Sequence, residues 1–121
     1  MLLIDAANVV GSRPDGWWRD RPGAARALVE RIRAAVEAGR IDVPVVVVLE
    51  GAARRGVGPS ALDGVTVVHA PGSGDDMLVS VTADATGPVT LVSADRALRK
   101  RVEDLGAGVV GPGWLIDLLD G

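Results

Sequence analysis

Five carboxylates occupy positions where acid or metal chemistry is plausible on spacing alone. Each follows an apolar stretch or opens a predicted helix: Asp5, Glu50, Asp75, Asp76 and Asp95. A carboxylate next to a dry strand costs several kcal/mol to desolvate unless hydrogen bonds, an arginine or a metal ion compensate. If these acids meet, a hard divalent cation with oxygen ligands, Mg²⁺ or Mn²⁺, would relieve their repulsion. Such an ion lowers the pKa of bound water and stabilises charge on a phosphodiester.

Nucleophilic catalysis of the serine–histidine or cysteine–histidine kind finds no support in the composition. The chain has no cysteine, and His69 is its only histidine. We interpret His69 as a residue at a strand end, with proton transfer as the alternative role. The absence of cysteine also excludes disulfides and a thiolate zinc site.

Short apolar runs and helical periodicities predict the elements that must position the acids. The runs predict five strands, at 1–4, 45–49, 65–68, 89–92 and 107–110. Helices are expected from Pro22 to just before Gly39, after a Ser73 cap, from about Asp95 to Leu105, and over 114–119. The alternation predicts a single domain over 1–121, a three-layer α/β/α sandwich with a parallel five-stranded sheet.

Strand order decides whether distant acids can meet. In the order 3-2-1-4-5 the switch point falls between strands 1 and 4, where open α/β sheets place their ligands. This order brings Asp5 beside Asp95. Asp75 and Asp76, at the start of the helix that feeds strand 4, could reach the same cleft.

Composition limits the class of protein. Of 121 residues, 48% are hydrophobic and 24% charged, which is ordinary for a soluble globular domain. The net charge of −3 provides no global basic field, so nucleic acid would need a local patch. Asp5 interrupts the first apolar segment, which argues against a signal peptide, and no apolar run approaches ~20 residues. We expect a cytoplasmic protein that does not enter membranes.

Three motifs resemble a known family. The opening LLIDAANVVG, the stretch GSGDDMLV and the stretch VSADRALRKRVEDLGA resemble, in this order, motifs of the YacP-like branch of NYN-domain proteins, within the PIN-like nuclease superfamily. The resemblance covers nearly the whole chain. It implies a parallel α/β sandwich with an acidic metal site and an RNA-cleaving activity.

The resemblance also implies roles for individual residues. Asp5 takes the first metal-binding position, Asn8 the supporting polar position, Asp76 the acid at the helix start and Asp95 the acid after strand 4. Glu50 stands where relatives often have aspartate. Two departures matter: Ala6 and Ala7 replace a small–aromatic pair, and the longer Glu50 puts its direct ligation in question.

Ordinary structural roles compete with each of these assignments. Asp5 would otherwise cap a turn and Asn8 would form an Asx turn. Asp75, Asp76 and Asp95 would complement helix dipoles, with Ser93 as a cap. A nucleic-acid surface would draw on Arg54, Arg55, Arg96 and Ser93, although solvated surface is the commoner role of such arginines. Trp17 and Trp18 could stack on bases, but we favour their covering the end of the sheet.

The expected function is a Mg²⁺- or Mn²⁺-dependent endoribonuclease acting on RNA, in which Asp5, Asp76, Asp95 and Asn8 carry catalysis. The metal ligands would come from Asp5, Asp75, Asp76, Asp95 and Glu50. The alternative is a non-catalytic RNA- or protein-binding domain that keeps the fold. A phosphoacceptor receiver domain is disfavoured because the only lysine, Lys100, lies inside a predicted helix. The sequence leaves the oligomeric state open, a homodimer included.

Overall fold

The computed structural model describes residues 1–121. Five α-helices and six β-strands alternate along the chain, with two short 3-10 turns at Trp17–Arg19 and Gly51–Arg55. The strands are β1 (Leu2–Asp5), β2 (Val45–Leu49), β3 (Ser60–Leu62), β4 (Val65–His69), β5 (Thr90–Val92) and β6 (Gly108–Val110). The helices are α1 (Ala6–Gly11), α2 (Arg21–Glu37), α3 (Gly74–Asp84), α4 (Arg96–Glu103) and α5 (Pro112–Asp120).

All six strands form one sheet in the order β3-β4-β2-β1-β5-β6. The five predicted strands lie in the predicted order and are parallel, so the α/β class and the topology are confirmed. The prediction of only five strands is wrong, because β3 pairs antiparallel with β4 at the sheet edge. Asp63 and Gly64 join these two strands, both at positive φ. Asp-Gly is a strong sequence signal for a two-residue hairpin turn.

Two apolar clusters pack against opposite faces of the sheet, since successive residues of a strand point to opposite sides. Leu2 and Ile4 of β1 face the layer built from α1, α2 and α5. Leu3 faces the layer built from α3 and α4. The central strands are thus covered on both faces, as their uninterrupted apolar sequences require. This arrangement is the predicted three-layer sandwich.

The chain turns into helix α1 immediately after β1, where the sequence predicts only a turn. Asp5 caps this six-residue helix, and Val9 buries its apolar side chain beneath it. Helix α2 begins at Arg21, capped by Asp20, and Ser73 caps α3 as predicted. None of the helices is both long enough and apolar enough to cross a membrane.

Candidate functional site

Asp5 lies at the carboxyl end of the central strand β1 and is only 7% exposed. Its Oδ1 accepts a hydrogen bond from the Asn8 backbone N–H at 3.3 Å, which caps the N-terminus of α1. Its Oδ2 accepts from the Ser93 hydroxyl at 2.9 Å. Both oxygens are therefore oriented by neighbours close in space, one local and one 88 residues away in sequence.

A chain of hydrogen bonds joins the ends of β1 and β5. The fully buried Ser93 donates to Asp5 and accepts from the Asp95 backbone N–H at 3.2 Å. The Asn8 side-chain oxygen accepts from the Ala94 N–H at 2.8 Å. These contacts hold α1 and the β5–α4 turn together at the predicted switch point. Asp5 and Asp95 thus lie at the same edge of the sheet.

Asp95 follows β5 and caps helix α4. Its Oδ1 accepts from the Leu98 N–H at 3.1 Å, and its Oδ2 makes no hydrogen bond within the chain. The dipole-capping role weighed from sequence is therefore present in the structure. It occupies one carboxylate oxygen and leaves the other available at the sheet edge.

Glu50 follows the neighbouring strand β2 and reaches the start of α3. Its Oε2 accepts from the Gly74 backbone N–H at 2.9 Å. A β-carbon at Gly74 would lie 2.9 Å from the Glu50 carboxyl carbon, so a larger residue there would displace this carboxylate. Gly74 is a positioning residue that the acidic motif GSGDD did not single out by itself.

The adjacent acids of α3 have different surroundings. Asp75 is half-buried and its charge interacts with those of Asp95 and Glu50. Asp76 points to the surface, where its Oδ1 lies 3.1 Å from the Arg101 guanidinium and its side chain is 74% exposed. The charge interactions of Asp75 and the pairing of Asp76 with Arg101 therefore group Asp75, rather than Asp76, with the acids at the strand ends.

Electrostatics at this edge disfavour the ionised state of two carboxyls. Burial raises the pKa of Asp5 from 3.8 to about 6, although hydrogen bonds from Ser93 and Asn8 oppose the rise, and the charges of Asp75 and Glu50 add to it. Burial, followed by the charges of Asp95 and Glu50, raises the pKa of Asp75, while Arg101 opposes this. The charge of Asp75 interacts unfavourably with those of Asp5, Glu50 and Asp95, and Asp5 also interacts unfavourably with Glu50. These four carboxylates are hereafter the acidic cluster.

The acidic cluster offers only oxygen donors, which suits a hard divalent cation. Glu50 Oε1 and Asp95 Oδ2 have no hydrogen-bond partner in the chain. Nevertheless, no three histidine or acidic side chains meet closely enough to hold a metal ion as they stand. The donor chemistry therefore fits a hard cation, whereas the carboxylates as placed lie too far apart for three of them to hold one together.

Three arginines singled out from the sequence lie on the elements that follow β2 and β5. Arg54 donates to the backbone carbonyls of Gly51 and Ala70, which ties the turn after β2 to the end of β4. Arg55 is exposed beside it, and Arg96 is exposed at the start of α4. The His69 Nε2 lies 2.6 Å from the Val57 carbonyl oxygen, a structural contact at the strand end.

A cavity of about 350 Å³ adjoins the acidic cluster and shares Glu50 with it. Trp17, Arg21 and the small residues Ala6, Ala7 and Gly51 also line this space, which we call the Trp17 cavity. Trp17 is half-buried, whereas its neighbour Trp18 is 51% exposed. The cavity could not be predicted from the sequence, because it forms between a 3-10 turn, α1, α2 and the segments after β2 and β4.

Comparisons with known proteins support the fold alone. No protein-family model matches the chain, and no curated protein matches it in sequence. Among solved structures, the chain is similar to the crystal structure of a tryptophan-to-leucine mutant of Rae1 (YacP) from Bacillus subtilis. The TM-score is 0.72 at 15% identity, over 98% of this chain and 74% of that one. The likeness supports a YacP-like α/β fold.

Proposed function

We propose that the protein is a metal-dependent endoribonuclease that hydrolyses RNA at the acidic cluster. The observation that carries the proposal is the convergence of Asp5, Glu50, Asp75 and Asp95 at one sheet edge, with charges that repel. A fold that maintains such repulsion gains stability when a cation binds there. The YacP-like fold and the motif resemblance, which implies RNA cleavage, support the same activity.

Asp5 is the best-positioned ligand in this proposal. Its hydrogen bonds from Ser93 and Asn8 fix the orientation of the carboxylate, as partners of metal ligands do in known metal sites. Asp95, Asp75 and Glu50 would supply the remaining oxygen donors. A divalent cation at this position would supply Lewis-acid stabilisation of the charge that develops on the phosphodiester.

Exposed arginines around the acidic cluster provide the attraction for RNA that the net charge lacks. Arg55 and Arg96 are free of side-chain partners in the chain and lie on elements that end or begin at the sheet edge. Arg54 retains donors beyond those it uses on Gly51 and Ala70. We assign these residues to phosphate contacts, which position the strand without reading its sequence.

The central experiment incubates the full chain with end-labelled single-stranded and hairpin RNAs in Mn²⁺, Mg²⁺ or EDTA. Cleavage that requires the metal and disappears in D5N and D95N is the expected result. D104N is the matched control, because Asp104 pairs with the exposed Lys100 away from the sheet edge. Metal-dependent cleavage that persists unchanged in D5N would refute the assignment of the active site.

The neighbouring acids of α3 allow a sharper test within the same assay. We expect D75N to reduce cleavage more than D76N, because Asp75 interacts with the acidic cluster whereas Asp76 pairs with Arg101. This differs from the sequence-based assignment of the catalytic role to Asp76. The reverse order of effects would restore Asp76 as the helix ligand and require Arg101 to release it.

A second candidate function is RNA binding without cleavage. It is favoured by the finding that no three acidic side chains meet at metal-binding distance. This function predicts RNA binding that withstands both EDTA and the D95N substitution, with no cleavage of any RNA in Mn²⁺. Filter binding and the cleavage assay on the same RNAs separate the two candidates.

A further inference from the structure

We propose that the Trp17 cavity holds one unpaired nucleobase of a single-stranded RNA next to the phosphodiester at the acidic cluster. This inference rests on the proposed function and specifies which part of the substrate the protein grips. The cavity volume of about 350 Å³ falls within the range of small-ligand sites, ~300–1,000 Å³. Glu50 belongs both to the lining of the cavity and to the acidic cluster, so a nucleotide bound in the cavity lies next to the sheet edge.

The chemistry of the walls suits a base. Trp17 offers an indole ring, and base–aromatic stacking tolerates any sequence because every base has a π-face. Ala6, Ala7, Val10 and Ala53 supply short apolar side chains that leave the space open. Trp17 is the only aromatic residue in the lining.

Charge complementarity also favours a nucleotide. The Arg21 guanidinium carbon lies 5.3 Å from the centre of the Trp17 ring. The Arg21 side chain makes no ion pair in the chain, unlike Arg13, Arg31 and Arg101. A cation over an aromatic ring, with unused donors, stabilises a stacked base and its adjoining phosphate together.

The walls of the cavity are held in place before any ligand arrives. Gly56 lies so close to the Pro22 carbonyl that a β-carbon there would overlap it. Arg26 donates from Nε to the Gly56 carbonyl oxygen at 3.2 Å. The segment after β2 is thereby fixed against the start of α2, and both segments contribute residues to the lining of the cavity. A preformed site of this kind reduces the ordering that binding requires.

A fluorescence titration tests the base site independently of cleavage. The W18F/W114F variant leaves Trp17 as the only tryptophan, and it is titrated in EDTA with a short single-stranded oligoribonucleotide. We expect quenching by the intact oligonucleotide and none by a fully abasic strand with the same number of phosphates. Equal quenching by both strands, or none by either, would overturn the proposal.

Substitution of the two adjacent tryptophans provides the matched comparison. We expect W17L to weaken oligonucleotide binding about tenfold, W17F to recover part of the loss, and W18L to change binding less than about twofold. Binding to the abasic strand should be the same for W17L and wild type. If W17L and W18L weaken binding equally, or if W17L also weakens abasic binding tenfold, the ring does not hold a base.

Cleavage distinguishes failure of the base site from failure of the proposed function. With wild-type protein in Mn²⁺, an abasic nucleotide is placed at each position around the cut in turn. A single sensitive position whose effect disappears in W17L supports the base site, while uniform insensitivity refutes it and leaves the nuclease proposal intact. Base-dependent quenching without cleavage of any RNA would support the base site and refute the nuclease proposal. Circular dichroism of W17L and W17F verifies folding, and uniform insensitivity of the wild-type protein to the abasic series refutes the base site without any variant.

Discussion

Asp5 and Asp120 are both aspartates at the end of an element, and their surroundings are opposite. Asp120, at the end of α5, is exposed and each of its oxygens contacts an arginine, Arg13 or Arg31. These partners, the Arg13 hydrogen bond above all, lower the pKa of Asp120. Asp5 is buried among other acids, with no cation on either oxygen, and its pKa rises to about 6.

The comparison shows that Asp120 has a structural role, whereas Asp5 lowers the stability of the metal-free fold. An exposed ion pair such as that of Asp120 joins α5 to α2 and to the segment after α1, and it contributes little to stability. A buried carboxylate among like charges destabilises the metal-free fold. Carboxyls of the second kind concentrate at functional sites, which is why Asp5 rather than Asp120 identifies the site.

The largest contrast is expected in activity. D5N should lower Mn²⁺-dependent RNA cleavage by roughly two to three orders of magnitude, since several kcal/mol of transition-state stabilisation depend on the metal. D120N should leave the rate within about twofold, because surface substitutions away from the site are nearly neutral. Single-turnover cleavage rates measure both. Similar losses in the two variants would remove the distinction between the two aspartates.

The next largest contrast concerns stability and pH in EDTA. Between pH 3.8 and about 6 the folded state binds more protons at Asp5 than the unfolded state, so the free energy of unfolding falls as the pH rises. The pKa change corresponds to about 3 kcal/mol at most, at 1.36 kcal/mol per unit. D5N should lack this pH dependence, so its free energy of unfolding should rise relative to that of wild type as the pH increases from 3.8 to about 6. Urea unfolding of wild type and D5N across this pH range measures the difference. If the unfolding free energies of the two proteins change with pH in parallel, the raised pKa of Asp5 is contradicted.

For Asp120 the same titration has the opposite sign. Its lowered pKa means that its stabilising contribution is present above the unfolded value of 3.8 and is lost as the pH falls through the folded value. D120N should therefore be less stable than wild type above pH 3.8, and the two should become equally stable once the pH is below the folded pKa of Asp120. This control shows that the D5N result reflects burial among acids rather than the loss of any carboxylate.

Metal binding should stabilise the fold through Asp5 and not through Asp120. At a Mn²⁺ concentration of 100 times its Kd, linkage raises the unfolding free energy by about 2.7 kcal/mol. We expect this increase in wild type and D120N, and a much smaller one in D5N. Thermal unfolding with and without Mn²⁺ measures the effect. An equal Mn²⁺ shift in D5N would indicate binding at some other place on the chain.

The smallest effect is that of salt on the Asp120 ion pairs. At about 1 M salt the Debye length falls to ~3 Å, so exposed charge pairs are screened. The difference in melting temperature between wild type and D120N should shrink with added salt, whereas the difference between wild type and D5N should persist. A D120N effect independent of salt would mean that Asp120 acts through packing.

The sequence predicted the sheet because its strands are uninterrupted apolar runs, such as the VVVVL of β2. Helix α1 escaped prediction, since Asn8, the β-branched Val9 and Val10, and Gly11 have low helix propensity. Burial of Val9 and the Asp5 cap overcome that propensity, and both depend on the tertiary fold. Strand β3 was missed for a different reason: its Asp63-Gly64 turn signal was present, but the strand has only three residues.

The predicted strand order was sufficient to place the acids at one edge of the sheet. The hydrogen-bond and ion-pair partners of these acids could not be predicted from it. The contacts of Glu50 with Gly74 and of Asp76 with Arg101 join residues about 25 positions apart. Such contacts depend on side-chain directions that residue spacing does not encode. The Trp17 cavity likewise arises between five segments, so its presence could be found only in three dimensions.

Strand β3 has a consequence for the behaviour of the protein at high concentration. Without it, the five-residue strand β4, rich in valine, would present a row of unpaired backbone groups to other molecules. The outermost strands are instead β3 and β6, each of three residues, which are too short to template extended intermolecular pairing. The β3–β4 hairpin thus limits edge-to-edge aggregation of the protein. A variant that lacks β3 should show increased light scattering at high concentration.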